Sequence, residues 1–128
     1  VICEEDKQRA LIDAAYNVGV KINAFYILGL EQDNEKSSLD TINYSLSLKT
    51  FMARYAVCTP YPGTGFYDVL KKEGRINEDN LDKYNQQELV YEHAYLNQKK
   101  IKKLIQKAYI KYYFRPKLIF SMIKNKFE

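Results

Sequence analysis

Histidine occurs once in this chain, at position 93, and cysteine twice, at positions 3 and 58. The cysteines lie too far apart in sequence to form a ligand-spaced pair and give no disulfide framework, so both are read as reduced thiols of a cytosolic protein. His93 has neither a Cys nor a second His beside it, which speaks against a metal site and for a packing or surface role. Apolar runs are short as well, and none approaches the roughly 20 residues that a bilayer-spanning helix needs. The opening residues Val1-Ile2-Cys3-Glu4-Glu5-Asp6 put acids where a secretion signal carries bases ahead of an apolar stretch. Solenoid-length repeats and low-complexity tracts are missing too. The first residue is not Met, as expected of a piece of something longer, although trimming of an ordinary amino terminus would look the same.

What is there suffices for one modest globular domain, since 46% of the 128 residues are hydrophobic and a core is within reach. The formal charge of +4 is unevenly placed. Residues 97–128 hold ten Lys or Arg against one acid, a sum of +9 that leaves −5 for the rest. The basic character therefore belongs to the tail.

Along the chain, Leu11, Ala14, Ala15 and Val18 recur at helical spacing behind three acids that suit the positive end of a helix dipole, and Gly19 follows as a stop. A helix over residues 4–18 with one buried face is expected. Residues 20–30 are apolar with little alternation in their second half, as in a strand covered on both faces, and they end at Gly29. After the polar loop Glu31-Gln32-Asp33-Asn34, either Asn34 or Ser37 is placed to cap a helix whose apolar positions are Leu39, Ile42 and Leu46. Residues 54–59 form the next strand and run into Thr59-Pro60-Tyr61-Pro62-Gly63-Thr64. Two prolines hold that stretch extended, Pro62-Gly63 turns it, and Thr64 is set to cap a helix over Phe66, Val69 and Leu70.

Helix, strand, helix, strand, helix with short connections is the rhythm of a parallel α/β sheet or barrel. Right-handed crossovers would bring residues 28–33 and 59–64 to one rim, where α/β proteins bind ligands. Beyond Gly74, residues 77–87 read as a polar loop with one helical turn around Leu81 and Tyr84, and residues 89–95 as an edge strand or extended arm. Asn97 then caps a long helix with Ile101, Leu104, Ile105, Ala108, Tyr109 and Tyr112 on one face and lysines on the other. Pro116 interrupts it, and residues 117–127 form a short second helix.

The run Gly19-Val20-Lys21-Ile22-Asn23-Ala24-Phe25-Tyr26-Ile27-Leu28-Gly29-Leu30, with Ser38, Asp40, Thr41, Ile42 and the 59–64 corner, resembles the second half of radical SAM enzymes, particularly those with a cobalamin-binding domain. Phe114-Arg115-Pro116-Lys117 is similar to the tail of such proteins. The resemblance implies an α/β chain that is a fragment of a (β/α)6 partial TIM-like barrel, about two parallel strands with flanking helices, followed by a mainly helical carboxyl-terminal extension. On that reading residues 1–75 belong to the barrel, 76–96 are loop and arm, and 97–128 are a basic aromatic extension. It also implies that a [4Fe-4S] cluster reductively cleaves S-adenosylmethionine, with cobalamin as a further cofactor of the parent protein. Carried over by position, Ile27 and Gly29 face the adenosyl group, Val57 and Thr59 contact adenine or substrate, and Asp33, Tyr61, Gly63 and Thr64 stand on the rim.

The chain departs from that family where the loop reads Gly29-Leu30-Glu31-Gln32-Asp33 in place of Gly-x-Pro-Gly-Glu, so the acid is one carbon shorter. The three-cysteine cluster motif and the cobalamin-binding Asp-x-His-x-x-Gly motif are both absent. Cluster and cobalamin would then be held outside this chain, which by itself would be inactive. The partners implied are the missing amino-terminal half, an electron donor and a small-molecule or lipid-like substrate.

Plainer readings stand beside these. The proline corner serves equally as a structural turn, Gly29 as a site of tight packing and Cys58 as a small buried hydrophobe. The pairs Glu4/Glu5 and Asp79/Asp82 read as solvated charge. For the tail, docking of its aromatic face with wet lysines is favoured over contact with an anionic membrane, and a nucleic-acid partner is the least favoured. The alternative function is a non-enzymatic module that binds a membrane or anionic partner through this tail. The expected location is accordingly cytoplasmic, with membrane association if the tail binds lipid.

Overall fold

The computed structural model describes residues 4–76 and 78–124 and places an α/β arrangement there, with five α-helices and a two-stranded parallel sheet. Cys3 and Asn77 lie outside the described residues, as do residues 125–127, over which the second tail helix was expected to continue. In order come α1 (Glu5–Asn17), β1 (Asn23–Leu28), α2 (Glu35–Ser47), β2 (Met52–Val57), α3 (Gly65–Lys72), a single 3-10 turn (Leu81–Lys83), α4 (Gln98–Tyr113) and α5 (Pro116–Lys124).

The caps explain where most helices begin. Asn34 accepts from the Ser37 backbone N–H while the Ser37 hydroxyl accepts from the Asn34 N–H, a reciprocal capping box for α2. The Thr64 hydroxyl caps α3 through Tyr67 N, and the Asn97 side chain caps α4 through Lys100 N. Each cap satisfies a donor that the first helical turn leaves without an intrahelical partner.

β1 and β2 pair in parallel from Asn23↔Met52 to Leu28↔Val57, and α2 is the crossover between them. Side chains alternate across the pleat, so Tyr26, Leu28, Ala53, Tyr55 and Val57 share one face. That face packs against Ile42 of α2 and against Ile101, Leu104, Ala108 and Tyr112 of α4, all buried. The opposite face is open: Phe25 is 71% exposed and Ile27 54%, with Met52 and Arg54 beside them. Strands covered on both faces were expected, and this is corrected. The second face is apolar at Phe25 and Ile27, but no described residue covers it. A similar correction applies to α1, which buries no residue and leaves Leu11 and Val18 exposed. Polar contacts hold it instead: Arg9 donates to the Ser47 carbonyl and hydroxyl, and Tyr44 donates to Gln8 Oε1.

The outer edge of β2 is sealed by α4. Tyr109 and Tyr113 accept from the backbone N–H groups of Tyr55 and Ala53 at 3.2 and 3.3 Å, and Tyr113 donates to the Ala53 carbonyl at 2.9 Å. The match is geometric. Four residues of helix rise about 6 Å and two residues of strand about 6.6 Å, so every second strand residue meets a tyrosine one turn further along α4. Gln86 O extends the seal by accepting from Val57 N at 2.7 Å.

Residues 89–95 form no regular strand. They make one isolated antiparallel bridge, Ile76↔Tyr91, and otherwise lie as an arm with Val90, Tyr91 and His93 buried. No helix among the described residues is long and apolar enough to cross a membrane.

Candidate functional site

Both strands end at the same rim, as parallel pairing requires, and the arm closes over it. Gly29 follows β1 with φ +77, a left-handed conformation that an L side chain resists. Its N–H donates to Asp33 Oδ2 at 3.0 Å, and its carbonyl accepts from the Tyr91 hydroxyl at 2.7 Å. A Cβ built there would lie 3.3 Å from Ile101 Cδ1. Gly29 is therefore packed between the strand end, the arm and α4.

Asp33 organises the loop from inside. Oδ2 accepts from both Gly29 N and Leu30 N at 3.0 Å, and Oδ1 accepts from the Ser37 hydroxyl at 2.8 Å. Three hydrogen bonds from its own chain thus hold this rim carboxylate in place. Above it, the Leu30 carbonyl lies 2.7 Å from His93 Nε2, while His93 Nδ1 faces Tyr95 N and Leu96 N at 3.1 and 3.2 Å. Two N–H donors aimed at Nδ1 make it the acceptor, so Nε2 carries the proton and donates to Leu30. His93 is a bracket between arm and loop.

Arg75 is a second bracket. Its Nη1 reaches Glu31 at 2.6 Å and Glu73 at 2.8 Å, and its Nε donates to the Glu92 carbonyl. Glu31, Gln32, Arg75, Glu92, His93 and Tyr95 bound a groove of about 610 Å³ beside the rim.

The proline corner has the geometry its residues dictate. Thr64 N donates to the Tyr61 carbonyl at 3.1 Å across Pro62 and Gly63, and Gly63 has φ +88, the pattern of a type II turn. The Thr64 hydroxyl donates to the same carbonyl, and the Thr59 hydroxyl donates back to Val57 O. Tyr61 stays exposed on the rim.

Of the eight residues singled out from sequence, Ile27 is the one whose side chain stands on the open sheet face. Val57, 1% exposed, is turned into the core by the pleat, so its side chain is withdrawn from any ligand on that face. The rim gathers Gly29, Asp33, Thr59, Tyr61, Gly63 and Thr64, most of them committed to turn and cap bonds. Cys58 sits half-buried nearby, and burial, then the Asp33 charge, pushes its thiol pKa up, away from a reactive thiolate. The Tyr91 hydroxyl is also pushed up, chiefly by burial. Neither favours nucleophilic chemistry. Sequence reasoning missed Arg75, Glu31 and Tyr91. The alternation of Tyr91 and His93 signalled a shared face but not what it would cover. Among the described residues no three His, Cys, Asp or Glu come together as a metal-holding group.

No family model matches the chain. It is similar to a protein of Pyrococcus horikoshii named as an uncharacterized methyltransferase, 28% identical over 117 residues, which are 91% of this chain and 25% of that protein. It is also similar to the bacteriochlorophyllide d C-12(1)-methyltransferase of Chlorobaculum tepidum, 24% identical over 92 residues, 72% of this chain and 20% of that protein. The chain thus spans about a quarter or less of the length of these relatives. Both names state methyl transfer. They overturn the expectation drawn from the radical SAM resemblance, and with it the [4Fe-4S] cluster, reductive cleavage and cobalamin.

Proposed function

We propose that this chain is one segment of an S-adenosylmethionine-dependent methyltransferase, and that its open sheet face is a wall of the chamber in which donor and acceptor meet. The observation that carries the reading is the asymmetry of the sheet. One face is packed and the β2 edge is sealed by tyrosines, whereas the other face is apolar and open at Phe25 and Ile27. The outward backbone groups of Asn23, Phe25 and Ile27 on β1 meet no partner among the described residues. A sheet finished on one side and unfinished on the other fits a chain that matches a quarter of a longer methyltransferase. The finer architecture we propose is that further parallel strands join at β1, making a larger α/β sheet or a (β/α)6-type barrel with β2 as its last strand.

The residues present fit one side of the methyl donor. Ile27 and Phe25 offer apolar surface for its adenosyl part at the carboxyl end of the strand. Asp33 has little capacity left for its hydroxyls, because both carboxylate oxygens already accept bonds within the loop. When bound, S-adenosylmethionine would supply the activated methyl group, and this chain's part is to hold it and exclude water. The acceptor we assign is an organic small molecule, and the principal partner is the remainder of the same protein.

The test uses the full reading frame that contains this chain. Radiolabelled S-adenosylmethionine should be retained in equilibrium dialysis, and Ile27→Asp should weaken retention by about tenfold or more, because it sets a charge in an apolar wall. Failure of the wild-type protein to retain the donor, or indifference of a folded Ile27→Asp variant, would reject the proposal.

A further inference from the structure

The two carboxyl-terminal helices carry a surface that the rim does not use. α4 turns Ile101, Leu104, Ala108 and Tyr112 inward, but its outer side is not uniformly polar. Lys99, Lys103, Lys107 and Lys111 follow one another every four residues as a single exposed row, and exposed Ile110 and Phe114 lie beside it. None of these lysines is ion-paired with a described carboxylate. Like charges at this spacing repel along a helix, and an anionic partner would relieve that repulsion.

α5 turns the usual arrangement around. Leu118 is buried, while Ile119, Phe120 and Ile123, on the side away from it, are exposed, Phe120 by 73%, and Phe114 at the end of α4 by 74%. From Asn97 to Lys124 the sequence has nine Lys or Arg and no Asp or Glu. Exposed aromatics among charges of one sign need a partner that is apolar inside and anionic at its surface. A protein partner would have to match each lysine with a placed acid, whereas a bilayer presents mobile phosphates anywhere along the row.

We propose that the corner between α4 and α5 docks on an anionic phospholipid bilayer. Phe114, Ile119, Phe120 and Ile123 enter the boundary between headgroups and acyl chains, and the α4 lysines meet lipid phosphate. The surface lies outside the rim, so the inference does not depend on the methyltransferase reading.

The experiment is sedimentation of the full protein with phosphatidylcholine vesicles, with and without phosphatidylserine, at low and high salt. Binding is expected only with phosphatidylserine and should fall as salt rises. Each basic residue near such a surface contributes about fivefold in affinity, so Lys103→Glu with Lys107→Glu should weaken binding by well over tenfold. Phe114→Asp with Phe120→Asp should do the same. Both variants alter exposed positions, and unchanged far-UV circular dichroism will establish that they fold. Absence of binding, equal binding to phosphatidylcholine alone, or full binding by either folded variant would overturn the proposal. Absence of binding would mean that this face is covered by protein.

Discussion

Gly29→Ala is the sharpest probe of the rim, because two separable penalties fall on one added methyl group. The first is conformational. Gly29 has φ +77, and an L residue held there costs about 1–2 kcal/mol. The backbone has little freedom to rotate away, since its N–H is held by Asp33 and its carbonyl by Tyr91. The second is steric. The new Cβ would stand 3.3 Å from Ile101 Cδ1, and Ile101 is fully buried against the sheet. Pressing a methyl group into such packing costs about 1 kcal/mol or more. Together the substitution should destabilise the protein by about 2–3 kcal/mol, read as a lowered urea midpoint with unchanged slope. Ile101→Val removes the opposing Cδ1 at its own cost of about 0.5–1.5 kcal/mol. In that background Gly29→Ala should retain the conformational penalty and lose most of the steric one, a coupling of about 1 kcal/mol. A single-mutant cost below about 0.5 kcal/mol, or equal costs in the two backgrounds, would refute the reasoning.

Two further outcomes test neighbouring interactions. Asp33→Ala leaves Gly29 N, Leu30 N and the Ser37 hydroxyl without their acceptor and should cost about 2 kcal/mol, whereas Asp33→Asn keeps one accepting oxygen and should cost less than half of that; equal losses in denaturant titration would contradict the assignment. The Tyr26 hydroxyl is buried without a hydrogen-bond partner among the described residues, and burial, followed by the charge of ionised Tyr55, raises its pKa to about 12. The folded value lies above the unfolded value of about 10, so this stabilisation is complete below pH 10 and is lost as pH rises towards 12. Tyr26→Phe keeps the ring stacked on Tyr55, should be neutral or stabilising at pH 7, and should flatten the fall in melting temperature above pH 10. An unchanged alkaline profile would count against that account.

Local chemistry was legible in the sequence to the extent that it acts over a few residues. Asn34, Thr64 and Asn97 are caps because a short polar side chain ahead of an apolar period has a nearby backbone donor to satisfy. The turn at Pro62-Gly63 follows from what each residue permits at φ. Burial was less legible, since hydrophobicity records what a residue prefers and not what covers it. Phe25, Ile27, Leu11 and Val18 have the chemistry of buried positions and stand exposed because no described residue covers them. Long-range closure was not legible at all. Tyr91 and His93 reach Gly29 and Leu30 across some sixty residues, and no spacing rule connects them. The reaction class lay further still from the residues, because the corner and the glycine are mostly occupied with holding their own backbone. A likeness carried by such positions reports shared architecture before it reports shared chemistry.

The shorter acid in the Gly29 loop shows why. Asp33 lies four residues beyond Gly29, and the loop brings its carboxylate to two successive backbone N–H groups while the chain turns into α2. Its second oxygen then holds Ser37, whose hydroxyl also accepts from Asn34 N at the start of the same helix. One side chain thus couples the strand end, the loop and the helix cap. A longer acid would carry its carboxylate one methylene further and leave those N–H groups to other partners. The departure from the resembled motif is therefore consistent within itself: proline and glycine are absent from the loop because Asp33 provides by hydrogen bonding the rigidity they would have provided by backbone constraint. It follows that the loop's shape depends on one side chain, which holds two backbone N–H groups and a capping hydroxyl at once.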